Sequence, residues 1–222
     1  ALPICTYHVF YDLIPLKFPY FYEQGVGFGD YFGAWCKETF LLSDGAFAIS
    51  LCTKLDMVKH FDLDESSVDR ISVIRLGEDF AFVGGSNFQS NRFNHLDNFI
   101  LSVGTLEIRK NQLCLLNAYR LLVQQHCADL PNLILVGKKG WLDGEIEFQV
   151  KNDRQLNQLV HVITDVNDDE LQWLYENCNF SLFPALYEGW GLPLAESFKA
   201  GRPCISSGVS SMLEIAPELT VF

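Results

Sequence analysis

FILSVGTLEIRKNQLCLLNAYRLLVQQHCADLPNLILV, residues 99–136, opens and closes in a short apolar run, with a turn and an amphipathic stretch between them. Phe99–Val103 and Asn132–Val136 show no regular polar alternation, as in strands covered on both faces. From Gln112 to Gln125, Leu113, Leu116, Tyr119, Leu122 and Val123 recur at helical spacing, which predicts a crossover helix. Strand, helix, strand in that order is a βαβ unit, and its sheet is parallel.

The same alternation continues outward. LVHVI (159–163), FSLF (180–183), PCIS (203–206) and LTVF (219–222) read as further strands, and 169–177 reads as a helix opened by Asn167 and Asp168. Residues 99–222 are therefore expected to form a doubly wound α/β domain with ligands at the carboxyl ends of its strands. Upstream, ICTYHVF, AFAIS and ISVIRL read as strands, with helices at Tyr31–Leu42 and Leu51–Phe61, so a thinner α/β domain is expected over 1–78. Between them 79–98 (DFAFVGGSNFQSNRFNHLDN) has no sustained period and reads as an interdomain linker. Strands lying so near both chain ends suggest an incomplete fold, with missing segments or an oligomer completing it.

Composition excludes several function classes. A formal charge of -12 opposes a phosphate-backbone partner, so no nucleic acid is expected, and it weakens attraction to anionic lipid. No uncharged apolar run reaches the roughly 18 residues of a membrane span, and no basic region precedes the first apolar residues. Cys5, Cys36, Cys52, Cys114, Cys127, Cys178 and Cys204 are widely spaced and read as reduced, mostly buried thiols. No two of the five histidines fall at i, i+3 or i, i+4, so no metal site is expected. The glycine cluster GVGFGDYFG (25–33) lacks the dinucleotide spacing and is read as a loop.

Chemistry concentrates in EGWGLPLAE, residues 188–196, directly after the apolar FSLFPALY. If a helix starts near Gly191, Glu188 lies in the loop at the strand's end and Glu196 about one and a half turns into the helix. Gly189 and Gly191 permit close backbone approach, and the helix N-H groups favour an anion. A diphosphate fits there, and carboxylates on either side suit sugar and ribose hydroxyls. The plain alternative is a tight strand-to-helix turn with two solvated glutamates. Likewise Arg109 and Lys110 form either a solvated basic pair or a pair that neutralises a departing diphosphate.

The longer stretch FPALYEGWGLPLAESFKAGRPCISSGVSSMLEIA resembles the donor-binding signature of family-4 GT-B glycosyltransferases, the retaining group 1 enzymes, whose pattern runs Pro-Ser-x-x-Glu-Gly-Phe-Gly-Leu-Pro-x-x-Glu. VGTLEIRKNQLCLLNAYRLL (103–122), NLILVGKKG and ITDVNDDELQWLYENC (163–178) are similar to the family's other donor-domain segments, and VFYDLIPLKFP and SDGAFAISLCTKLD to late parts of its acceptor domain. The resemblance implies two Rossmann-like doubly wound domains, the N-terminal one incomplete. It also implies retaining, metal-independent transfer of a hexose, with mannose the leading choice. The donor would be a GDP- or UDP-sugar and the acceptor a glycan or lipid-linked hydroxyl, in polysaccharide or O-antigen assembly. No cofactor beyond the donor is implied. The expected location is cytoplasmic, with peripheral contact at the inner face of the membrane left open.

By the same resemblance Glu188 reads the donor sugar, Glu196 the ribose, and Arg109 and Lys110 the phosphates. Gly104, Thr105, Gly189, Trp190, Gly191 and Leu192 give contacts at sugar and phosphates, and Gly137 and Val166 flank the base. Thr105 stands where relatives often have arginine, and Tyr11-Asp12 where many have His-Asp. His8 is read as a core or edge histidine. A non-catalytic nucleotide-sugar-binding fragment or interaction module is the alternative function.

Overall fold

The computed structural model describes residues 4–22, 24–77, 92–140, 144–215, 217–218 and 220–221. The chain forms two units: Ala1–Gly77 with Tyr187–Gly191 and Val209–Ile215, and Glu78–Leu186 with Leu192–Gly208 and Ala216–Phe222.

In the first unit the order is β1 (Tyr7–Phe10), α1 (Ile14–Lys17), α2 (Gly25–Leu42), β2 (Gly45–Ala48), α3 (Leu51–Phe61), α4 (Glu65–Val68) and β3 (Ile71–Val73). The strands form a parallel sheet in the order β1-β2-β3, with Phe10 opposite Ala48 and Ala48 opposite Val73. Phe10, Leu13, Phe40, Ala46, Met57, Phe61 and Ile71 make its core. Ser50 caps α3 by accepting from the Thr53 N-H. Residues 25–33 are not a loop: they are the first half of α2. A Cβ at Gly29 would lie 2.5 Å from the Pro15 carbonyl oxygen, and one at Gly33 2.6 Å from the Leu16 side chain. These two glycines, one helical turn apart, therefore form the face on which α1 sits, and packing overrides their poor helix propensity.

The second unit runs β4 (Phe99–Val103), α5 (Gln112–Gln124), β5 (Asn132–Val136), α6 (Gly144–Asn152), β6 (Val160–Ile163), α7 (Asp168–Asn177), β7 (Ser181–Phe183), α8 (Leu192–Lys199), β8 (Cys204–Ser206) and β9 (Thr220–Val221). All pairings are parallel and the strand order is β6-β5-β4-β7-β8-β9. Successive residues of β5 serve opposite faces. Leu133 and Leu135 pack with Leu115, Leu116 and Tyr119 of α5, whereas Ile134 and Val136 pack with Leu174, Tyr175 and Cys178 at α7. The buried face of α5 thus includes Leu115, while Leu113 is only partly buried. A capping box of Asn167 and Glu170 opens α7. Of the stretch read as linker, 79–91 lies outside the described residues, and Phe93 and Leu96 belong to the core beneath β4.

All seven cysteines are free. Cys36, Cys178 and Cys204 are buried, Cys52 is half-buried, and Cys5, Cys114 and Cys127 are exposed, so fewer thiols are buried than composition suggests. No helix among the described residues is long and apolar enough to cross a membrane.

Candidate active site

Strand order in the second sheet reverses between β4 and β7, the switch point at which doubly wound folds open a crevice beyond the strand ends. The two loops leaving it are tied together: the Leu186 N-H donates to the Arg109 carbonyl at 2.8 Å, and the Asn111 side-chain amide to the Pro184 carbonyl at 3.1 Å. Asn111, at φ 57°, ends the turn that carries Arg109 and Lys110 and starts α5.

Lys110 crosses this mouth. Its side-chain carbons lie 3.4 Å from where a Cβ on Gly104 would stand, and its Nζ is 5.1 Å from the centroid of the Phe183 ring at the end of β7. Its charge acts on Glu196, the fifth residue of α8. Glu196 is 7% exposed and accepts a hydrogen bond from the Tyr175 hydroxyl. Burial raises its pKa, against the opposing pull of the Tyr175 bond and the Lys110 charge. The buried Tyr175 hydroxyl is raised well above its ordinary value, by burial first and the Glu196 charge second. A carboxylate held out of water beside one cation is poised to accept ligand hydroxyls.

Arg109 is partly committed, its guanidinium pairing with Glu107 at 2.6 Å. Thr105 is exposed, and Gly137 sits against the Gly104 carbonyl with no room for a side chain. Val166 packs partly against the core at α7, and Leu192 begins α8. The second unit thus gathers Gly104, Lys110 and Glu196 around the switch point.

Glu188, Gly189, Trp190 and Gly191 belong to the first unit. Gly191 takes φ 120°, a backbone open to glycine and strained for other residues. Gly189 lies flush on the Tyr11 carbonyl and Asp12, so a side chain there would collide with both. Ser210 Oγ accepts from the Glu188 N-H at 3.0 Å, and Ser211 Oγ donates to the carbonyls of Glu188 (3.0 Å) and Trp190 (2.6 Å). Glu188 is 8% exposed, and the buried Trp190 indole N-H has no acceptor among the described residues.

Residues 85–219 match the profile of the family described as glycosyl transferases group 1. The chain belongs to this family. Its fold is accordingly of the GT-B type, an α/β architecture whose parallel sheets are consistent with a Rossmann-like domain. Among curated relatives it is 31% identical over 219 residues to the serotype-specific mannosyltransferase WbdA of Escherichia coli, covering 96% of this chain and 26% of that protein. It is 35% identical over 117 residues to the O-antigen chain mannosyltransferase B of Escherichia coli, covering 53% of this chain and 30% of that protein. The chain therefore spans under a third of either relative's length. The crystal structure of Anabaena Alr3699/HepE in complex with UDP-glucose superimposes with a TM-score of 0.64 at 16% identity, over 95% of this chain and 55% of that one.

Reading the sequence missed Tyr175, Phe183 and the support of the 187–191 loop. For Tyr175 a signal existed: Leu171, Leu174, Tyr175 and Cys178 recur at helical spacing, and a tyrosine on a buried face needs a partner for its hydroxyl.

Proposed function

We propose that this chain carries the donor site of a retaining hexosyltransferase, moving mannose from a nucleoside-diphosphate sugar to a glycan or lipid-linked hydroxyl in O-antigen or related polysaccharide assembly. The convergence of Lys110 and Glu196 at the switch point between β4 and β7 carries this reading. Support for the sugar comes from the two mannosyltransferase relatives, and for a nucleotide-sugar donor from the UDP-glucose complex of the structural neighbour.

In this reading the ribose hydroxyls bond Glu196 and the sugar hydroxyls bond Glu188. The diphosphate lies against Lys110 and the N-terminus of α8, with Arg109 as the second cation once it turns from Glu107. As the glycosidic bond breaks, negative charge grows on the diphosphate. A cation already in place stabilises that charge without reorganisation, the role a divalent ion plays elsewhere.

Calorimetry with GDP-mannose, UDP-glucose and UDP-N-acetylglucosamine tests the reading, followed by acceptor-free hydrolysis of whichever donor binds. Lys110→Ala should retain donor binding and lose about two to three orders of magnitude in turnover, as expected for one lost electrostatic donor. Unchanged turnover would remove Lys110 from this role. Binding without hydrolysis or transfer to any acceptor would point to the non-catalytic binding module, and no binding to any donor would overturn both.

A further inference from the structure

A polar cluster in the first unit lies beside the Glu188–Gly191 loop and is used by nothing described above. Lys17, the last residue of α1, places its Nζ 2.6 Å from Asp56 Oδ1 and 2.5 Å from the Tyr187 hydroxyl. The ammonium also stands 4.0 Å from the centroid of the Tyr187 ring. That hydroxyl donates to Asp56 Oδ2 at 2.6 Å and is 2.9 Å from Cys52 Sγ. Lys17 and Asp56 keep only 18% and 10% of their side-chain surface exposed. Lys17, Asp56 and Cys52, which hold the Tyr187 hydroxyl, come from α1 and α3, and Tyr187 directly precedes Glu188.

A second support comes from the other side of the same loop. Ser210 and Ser211 bond the backbone of Glu188 and Trp190. Four residues on, the Glu214 carboxylate accepts the Leu51 and Cys52 N-H groups at 2.9 and 2.8 Å, closing the N-terminus of α3. Both supports therefore end on α3, one at its first turn and one at Asp56.

We infer that Lys17, Asp56 and Tyr187 are positioning residues: together they clamp the start of the Glu188–Gly191 loop so that Glu188 is held ready for the donor's sugar. The ligand half of this inference rests on the proposed function, and the clamp itself does not. A buried ion pair that loses one member leaves an uncompensated charge, so Lys17 and Asp56 variants would damage the whole unit. Tyr187→Phe is the clean change. It leaves the ion pair, the ring beneath Lys17 and the packing against Phe18 (centroids 4.9 Å apart) in place, and removes only the hydroxyl.

Two measurements on the intact chain test it. Amide hydrogen exchange should quicken at Glu188–Gly191 by about tenfold or more in Tyr187→Phe, with β2 and β5 unchanged, as for a local opening. Calorimetry should show unaltered affinity for GDP and at least about fivefold weaker affinity for GDP-mannose, because only the sugar's increment depends on Glu188. Unchanged exchange in the loop overturns the clamp, and so does a rise spread evenly over β2 and α2, which would make the hydroxyl a general support. If the exchange rates separate as expected but neither form binds GDP-mannose, the clamp stands and the proposed function fails.

Discussion

Glu196 shows how much one residue can reveal in sequence and how much it hides. If a helix starts near Gly191, spacing puts Glu196 about one and a half turns into it, and α8 begins one residue later, at Leu192, with Glu196 its fifth residue. What spacing cannot show is that its carboxylate is nearly sealed from water and bonded by Tyr175, 21 residues away. Burial raises its pKa above the ordinary 4.5, so the ionised form is the disfavoured one in the fold. The sign follows from linkage. Above the folded value the penalty is fully present, and it fades as pH falls from there through the unfolded value, below which both states are protonated. Glu196→Gln keeps an acceptor for Tyr175 and removes the charge. It should therefore be more stable than the parent at pH 7 by on the order of 1 kcal/mol, while binding nucleotide less tightly. Thermal melts between pH 7 and 4.5 should show the gap narrowing as the pH is lowered. A gap that widens on acidification would mean that the Lys110 attraction outweighs burial.

Among elements, those whose local chemistry and tertiary role agree were legible to the residue. β4, β5 and α3 have the limits that apolar runs and the Ser50 cap suggest. Others lost a residue or more at one end, as β6 and β7 did, because pairing stops before the apolar run does. α2 is the clear failure, since glycines at 25, 27, 29 and 33 argue locally for a loop. Their use appears only once α1 is seen resting on Gly29 and Gly33. Gly29→Ala tests this, because its methyl would meet backbone, the Pro15 carbonyl, which cannot swing aside. The variant should lose about 1–3 kcal/mol, the usual cost of overpacking, despite alanine's better helix propensity. Denaturant titration reads the change, and a stabilised variant would show that α1 yields to α2.

At the scale of the whole molecule, the first unit is assembled from three separate stretches of chain. Periodicity along a sequence cannot disclose this, since the deciding bonds join residues as far apart as Lys17 and Tyr187 or Leu51 and Glu214. The consequence is energetic as well as topological. A chain ending at Gly77 would keep β1, β2 and β3, yet those strands have four, four and three residues and form a small sheet with little apolar area to bury. It would lose Glu214, leaving the first N-H groups of α3 without their carboxylate. It would lose Tyr187 too, taking from the buried Lys17–Asp56 pair the hydroxyl that bonds both. With a small core and its polar cluster stripped on two sides, residues 1–77 alone should show no cooperative thermal transition by circular dichroism, whereas the full chain should. Adding the separate peptides 187–191 and 209–215 should not restore it, because the entropy of bringing free segments together exceeds what a few bonds return. A sharp transition in the fragment would show that the β1–β3 core suffices, and that the returning segments are held by this unit without supporting it.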